Sequence, residues 1–152
     1  MDIFRVAFIG HREVDDFRQI EERLDEIIRN LIDTKGYVEF YVGRNGEFDI
    51  MVASAVKRAQ RDYGNANNCL ILVIPYPVAD EEYYQDFYDE ILYPSELHLV
   101  HYKAAITKRN EWFIDNSDLL VAYVVRDYGG AFECLKKAEK NGKTIEYLIP
   151  KK

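Results

Sequence analysis

Five short apolar runs separated by amphipathic stretches constrain this chain more than any other feature. IFRVAFIG (3–10), YVEFYVG (37–43), CLILVIPYP (69–77), DLLVAYVV (118–125) and TIEYLIP (144–150) have the near-continuous apolar character of strands buried on both faces. Between them, residues 16–36 place Ile20, Leu24, Ile27, Ile28 and Leu31 at helical spacing with charges opposite, and Gly36 is the expected stop. Residues 48–64 repeat the pattern through Ile50, Ala53 and Val56 up to Gly64. Further helices are expected over 82–92, 102–116 and 130–143, with a loop through Pro94. Strands alternating with helices predict an α/β chain with three α/β/α layers and a mainly parallel sheet of about five strands. There is no Pro/Gly/Ser linker, repeat or low-complexity tract, so residues 1–152 are expected to form one domain.

Composition supports a packed core: 48% of the residues are apolar and 14% aromatic, enough burial to offset chain entropy. The net charge of -7 argues against a generic basic face for nucleic acid, so DNA is disfavoured as a partner, whereas a small anion needs only a few local cations. Cys69 and Cys134 read as buried free thiols of a reducing compartment. No signal-peptide core or membrane-length apolar run is visible, and the expected location is the cytoplasm, with no membrane partner. His98 and His101 lack a third ligand, so no metal is expected, and no cofactor is implied. The tyrosine-rich stretch 79–102 is a candidate surface for homo-oligomer formation.

In open α/β sheets, ligands sit outside the carboxyl ends of the strands. The first such junction, GHRE, offers Gly10, His11 and Arg12. The second, VGRNGEFD, offers Gly43 and Gly46 for close backbone approach, Arg44 as a cation and a helix N-terminus beyond. Glu47 and Asp49 there either cap that helix or face ribose hydroxyls. TKRNEWF supplies Arg109 and Asn110; Arg109 and Phe113 are one turn apart, so one helix face is expected to look into the core while Arg109 reaches the crevice edge. The last junction, RDYGGAFE, repeats the glycine logic at Gly129 and Gly130 ahead of another helix. Two such turns flank one crevice if the strand order reverses between them.

In this order, GHR, VGRNGEFD, KRNEWFIDNSDLLVAY and YGGAFECLKKAEKNGK resemble the SLOG superfamily. That Rossmann-like group includes the LOG phosphoribohydrolases and DprA-type DNA-processing proteins, and the chain is most similar to its small stand-alone YpsA-like branch. The resemblance implies a glycine-rich pocket for a small nucleotide-derived ligand such as an ADP-ribose relative, in a sensor for stress or defence signalling. Carried onto this chain, it implicates Gly10, Arg12, Gly43, Gly46, Asp49, Arg109, Asn110, Gly129 and Gly130. Ala131 stands where the family commonly has Thr, and Arg44 where a second Gly is usual. Glu133 follows Gly130 too closely to match the catalytic Glu of the LOG signature. Binding is therefore favoured. The alternative is a hydrolase that cleaves the N-glycosidic bond of a nucleotide, with Glu47 or Asp49 stabilising charge at the ribose.

Overall fold

The computed structural model describes residues 2–79 and 81–149. Strands β1 (Ile3–Gly10), β2 (Tyr37–Val42), β3 (Asn68–Val73), β4 (Glu90–Leu92), β5 (Leu119–Tyr123) and β6 (Ile145–Tyr147) form one sheet in the order β4-β3-β2-β1-β5-β6. Every pairing is parallel. The chain builds outward from β1 to β4, then crosses back to lay β5 against the free side of β1. The order reverses there, and a crevice opens above the ends of β1 and β5.

Alternation along the strands divides the core into two layers. Val6, Phe8, Phe40, Val42, Leu70 and Leu72 face helices α1 (Phe17–Thr34) and α2 (Glu47–Tyr63). The α1 stripe of Ile20, Leu24, Ile27, Ile28, Leu31 and Ile32 is buried against them, as its spacing predicts. Ala7, Ile9, Tyr41, Ile71, Val73, Leu120 and Ala122 face the opposite layer, made by α4 (Ala105–Asn116) and α5 (Gly130–Lys140). The Rossmann-like α/β/α class is as expected.

The strand count differs from the expected five. Residues 82–92 do not form one helix: α3 covers only Glu81–Gln85, and Glu90–Leu92 adds a sixth strand at the edge. Asp89 explains the change. Its carboxylate accepts the Leu70 N–H at 2.8 Å and Gln60 Nε2 at 2.7 Å, while its own N–H donates to Leu70 O at 3.0 Å. This local clamp hands the chain to β3, and three residues are too few to show a strand period. Pro150, at the end of the expected last strand, lies outside the described residues. Among those residues no helix is long and apolar enough to cross a membrane.

His98 and His101 have local roles. His98 packs on the Tyr93 ring at 4.2 Å between centroids, and His101 Nδ1 accepts the Lys103 N–H at 3.1 Å.

Candidate functional site

A cavity of about 350 Å³ occupies the crevice at the strand-order reversal. Its lining takes Gly10, His11 and Arg12 from the first junction, Asn45, Gly46 and Asp49 from the second, Arg109 and Asn110 from α4, and Gly129 and Gly130 from the last. Gly43 lies just beneath, and Arg44 and Glu47 lie outside the lining. Arg44 turns toward Tyr84 instead, with its guanidinium 5.0 Å from the ring centroid and Nη1 3.3 Å from the hydroxyl. Glu47 is exposed.

Arg109 is the floor of the crevice rather than its edge, with only 4% of its surface exposed. Nη1 donates to Val73 O at 3.1 Å, Nε donates to Asn110 Oδ1 at 3.2 Å, and the guanidinium lies 4.9 Å from the Phe113 centroid. Burial pulls its pKa down and Asp49 pulls it back; an arginine remains protonated under such conditions. Asp49 is the reciprocal case: burial raises its pKa, while Arg109 and the Asn45 amide oppose the rise. No carboxylate among the described residues comes within ion-pair distance of Arg109. Gly43 leaves room for both side chains to come together over the backbone. A Cβ there would stand 2.7 Å from Arg109 Nη1 and 3.0 Å from Asp49 Oδ2.

The glycines divide by role. Gly10 is required by packing, because a Cβ would fall 2.4 Å from the Phe48 ring. Gly46 locks two loops together: its Cβ would meet Arg12 Cα at 2.5 Å, and the neighbouring Glu47 N–H donates to Arg12 O at 2.9 Å. Gly129 has φ +96°, a conformation that suits glycine, and added Cβ atoms at Gly129 and Gly130 would meet nothing within 4 Å. The two helix N-termini consequently differ. At α2, Asp49 Oδ2 already accepts the Asn45 N–H at 2.9 Å, so the chain's own carboxylate occupies that turn. At α5 no side chain caps the helix, and its first residues, Gly130 and Ala131, line the cavity.

His11 is a neutral acceptor rather than a cation. Its Nε2 accepts the Val125 N–H at 3.0 Å, which leaves the proton on Nδ1, and its ring meets Tyr123 edge-on at 5.7 Å. Burial, then Arg126, lowers its pKa, while Asp15 acts in the opposite direction. The folded chain thus takes up this proton at lower pH than the unfolded chain. The associated stability is complete above the ordinary imidazole pKa and is lost as pH falls through the depressed folded value. The urea midpoint should drop as pH falls from about 7 to about 5. In His11→Gln, whose amide oxygen replaces Nε2 as acceptor, part of that slope should vanish; an unchanged slope would assign the pH dependence to other groups.

Arg126 and Tyr128 also line the cavity, and neither was singled out from sequence. The available signal was an Arg and a Tyr in the short span between a strand end and a Gly-Gly pair. Among the described residues, Arg126 makes one ion pair, at 4.0 Å with the exposed Glu13. The crevice therefore gathers Arg12, Arg109 and Arg126 around an uncapped helix N-terminus, an arrangement suited to a phosphate or carboxylate.

No family model matches the chain, and no curated protein matches it in sequence. Among solved structures, it is similar to DNA processing protein A (DprA) from Streptococcus pneumoniae, at a TM-score of 0.69 and 14% identity over 98% of this chain and 51% of that one. It is also similar to DprA from Helicobacter pylori, at a TM-score of 0.66 and 18% identity over 97% of this chain and 66% of that one. The chain thus spans about half to two-thirds of these proteins' lengths and has the Rossmann-like fold of the parts it covers. The expectation that disfavoured DNA needs correction. The Helicobacter pylori protein, of the same fold, is described as having a single-stranded DNA binding mode. Net charge is summed over the whole surface, whereas a nucleic-acid strand meets one groove, and local arginines decide that contact.

Proposed function

We propose that the crevice binds the phosphate of a nucleotide or nucleotide derivative, ADP-ribose-like ligands included. On this reading the chain is a one-domain cytoplasmic binding module of the YpsA-like kind, serving as a sensor in stress or defence signalling. One observation carries the proposal: the open N-terminus of α5 faces a cavity with buried Arg109 beneath and Arg126 beside it, at the point where the strand order reverses. Backbone amides and the helix dipole supply the anion site, and the arginines supply charge.

A thermal-shift and calorimetry panel of mononucleotides, ADP-ribose derivatives and cyclic nucleotides tests it. A ligand at a hundredfold excess over its Kd should stabilise the fold by about 2.7 kcal/mol. Arg126→Ala should weaken binding by about tenfold or more with little change in stability, because among the described residues its one ion pair, to the exposed Glu13, is long. A complete panel without binding rejects the proposal.

A second reading places a phosphate of single-stranded DNA in the same crevice, and the likeness to the Helicobacter pylori protein favours it. An oligonucleotide would then bind with a steep salt dependence, and mononucleotides would compete weakly. Turnover is a separate proposal. Asp49 is the candidate because it lines the cavity, where its carboxylate would stabilise positive charge developing at the ribose. Release of free base from nucleotides, followed by chromatography and abolished in Asp49→Asn, would support a hydrolase.

A further inference from the structure

The chain has five exposed tyrosines among the described residues, and four of them are engaged. Tyr63 meets Arg29 and Asp33, Tyr83 meets Tyr84, Tyr102 meets Tyr76, and Tyr147 donates to Glu139 at 2.7 Å. Tyr128 differs. It is 65% exposed, and among the described residues neither its ring nor its hydroxyl has a partner. It also stands on the cavity wall, immediately before Gly129 and the uncapped turn of α5.

A large aromatic ring left in water at a cavity mouth represents unused binding free energy, because covering it removes apolar area from solvent. The neighbouring polar groups limit what can cover it. Arg126, two residues before, and the α5 amides, two residues after, both suit an anion, so the covering group must be attached to one. A nucleobase meets that requirement: it has a flat π-face and is joined through ribose to phosphate.

We infer that Tyr128 is a stacking platform for a nucleobase, so the crevice selects base-bearing phosphates over plain sugar phosphates. This rests on the anion-site reading above and adds the part of the ligand that is not phosphate. The platform accepts any base, because stacking is sequence-tolerant. It identifies Tyr128 as a specificity-determining residue, with Arg126 and the α5 turn setting affinity for the phosphate.

Calorimetry with AMP, CMP, ribose phosphate and inorganic phosphate tests the inference in the wild-type chain, Tyr128→Ala and Tyr128→Phe. The wild type should bind both nucleotides about tenfold or more tighter than ribose phosphate. Tyr128→Ala should abolish that preference and leave ribose phosphate binding unchanged, while Tyr128→Phe retains it. Thermal unfolding should be the same for all three chains, because Tyr128 is exposed and unpartnered. Equal affinity for nucleotides and ribose phosphate in the wild type would overturn the platform while leaving the anion site standing. A Tyr128→Ala chain that keeps its preference, or loses nucleotides and ribose phosphate alike, would also overturn it. No binding of any of the four probes would overturn both readings.

Discussion

Arg109→Ala should lower the free energy of unfolding by about 3 kcal/mol or more and abolish anion binding at the crevice. Two costs combine in the stability loss. Val73 O loses its buried donor, and Asp49 loses the positive charge that offsets its own burial. Arg109→Lys should recover only part of it, because an ammonium on a flexible stem cannot serve Val73 O and Asn110 Oδ1 in the same geometry. Urea unfolding with an unchanged slope would measure the stability term, and calorimetry on the folded fraction the binding term. Pairing Arg109→Met with Asp49→Asn separates the charge effect. The double variant should be more stable than the sum of the two single losses allows, because neither leaves an uncompensated charge in the other's absence. Strict additivity would show that the two side chains do not sense one another. Binding should stay lost in the double variant, since the anion's partner is gone either way.

Gly46→Ala should cost about 1–3 kcal/mol and displace the two loops that form one wall of the crevice. The reason is contact and not backbone strain, for Gly46 has an extended φ of -172° that any residue adopts. A methyl group there would meet Arg12 Cα at 2.5 Å, and backbone cannot yield as a side-chain tip can. The Glu47 N–H to Arg12 O bond that ties the loops would lengthen or break. Gly130→Ala provides the contrast. Its Cβ meets nothing in the protein, and alanine is the better helix former, so stability should hold or rise by up to about 1 kcal/mol. The same methyl group projects at the open end of α5, and binding should weaken. A Gly46→Ala chain as stable as the wild type would mean that the loops reorganise freely, and that the crevice wall is not set by this contact.

The alternation of strands and helices was legible because each major strand is apolar over most of its length and each long helix buries a regular stripe. Leu24, Ile28 and Leu31 on α1, or Leu70 and Leu72 on β3, leave few other folds open. β4 was not legible, since its place depends on Asp89 clamping Leu70 and not on any period within Glu90–Leu92. The crevice was legible as a set of loops but not in its division of labour. Gly10, Gly46 and Gly129 look alike in a sequence, yet one serves a phenylalanine ring, one a neighbouring loop, and one opens a helix end. Arg109 resembled a rim residue because its neighbours Lys108 and Asn110 are polar. Its depth comes from its place over Phe113, which only the packing of α4 reveals. Arg126 and Tyr128 were hidden by the glycine pair that follows them.

Both outer strands of the sheet, β4 and β6, are only three residues long. An edge that short gives a docking strand few backbone groups to bond, and each carries a charged residue, Glu90 or Glu146. The sheet therefore resists being lengthened by a foreign strand in either direction, a defence against fibrillar growth achieved by brevity. The central strands β1 and β2 are paired on both sides, and β3 is paired with β4 over Ile71–Val73, so the most apolar segments are the ones least able to template aggregation.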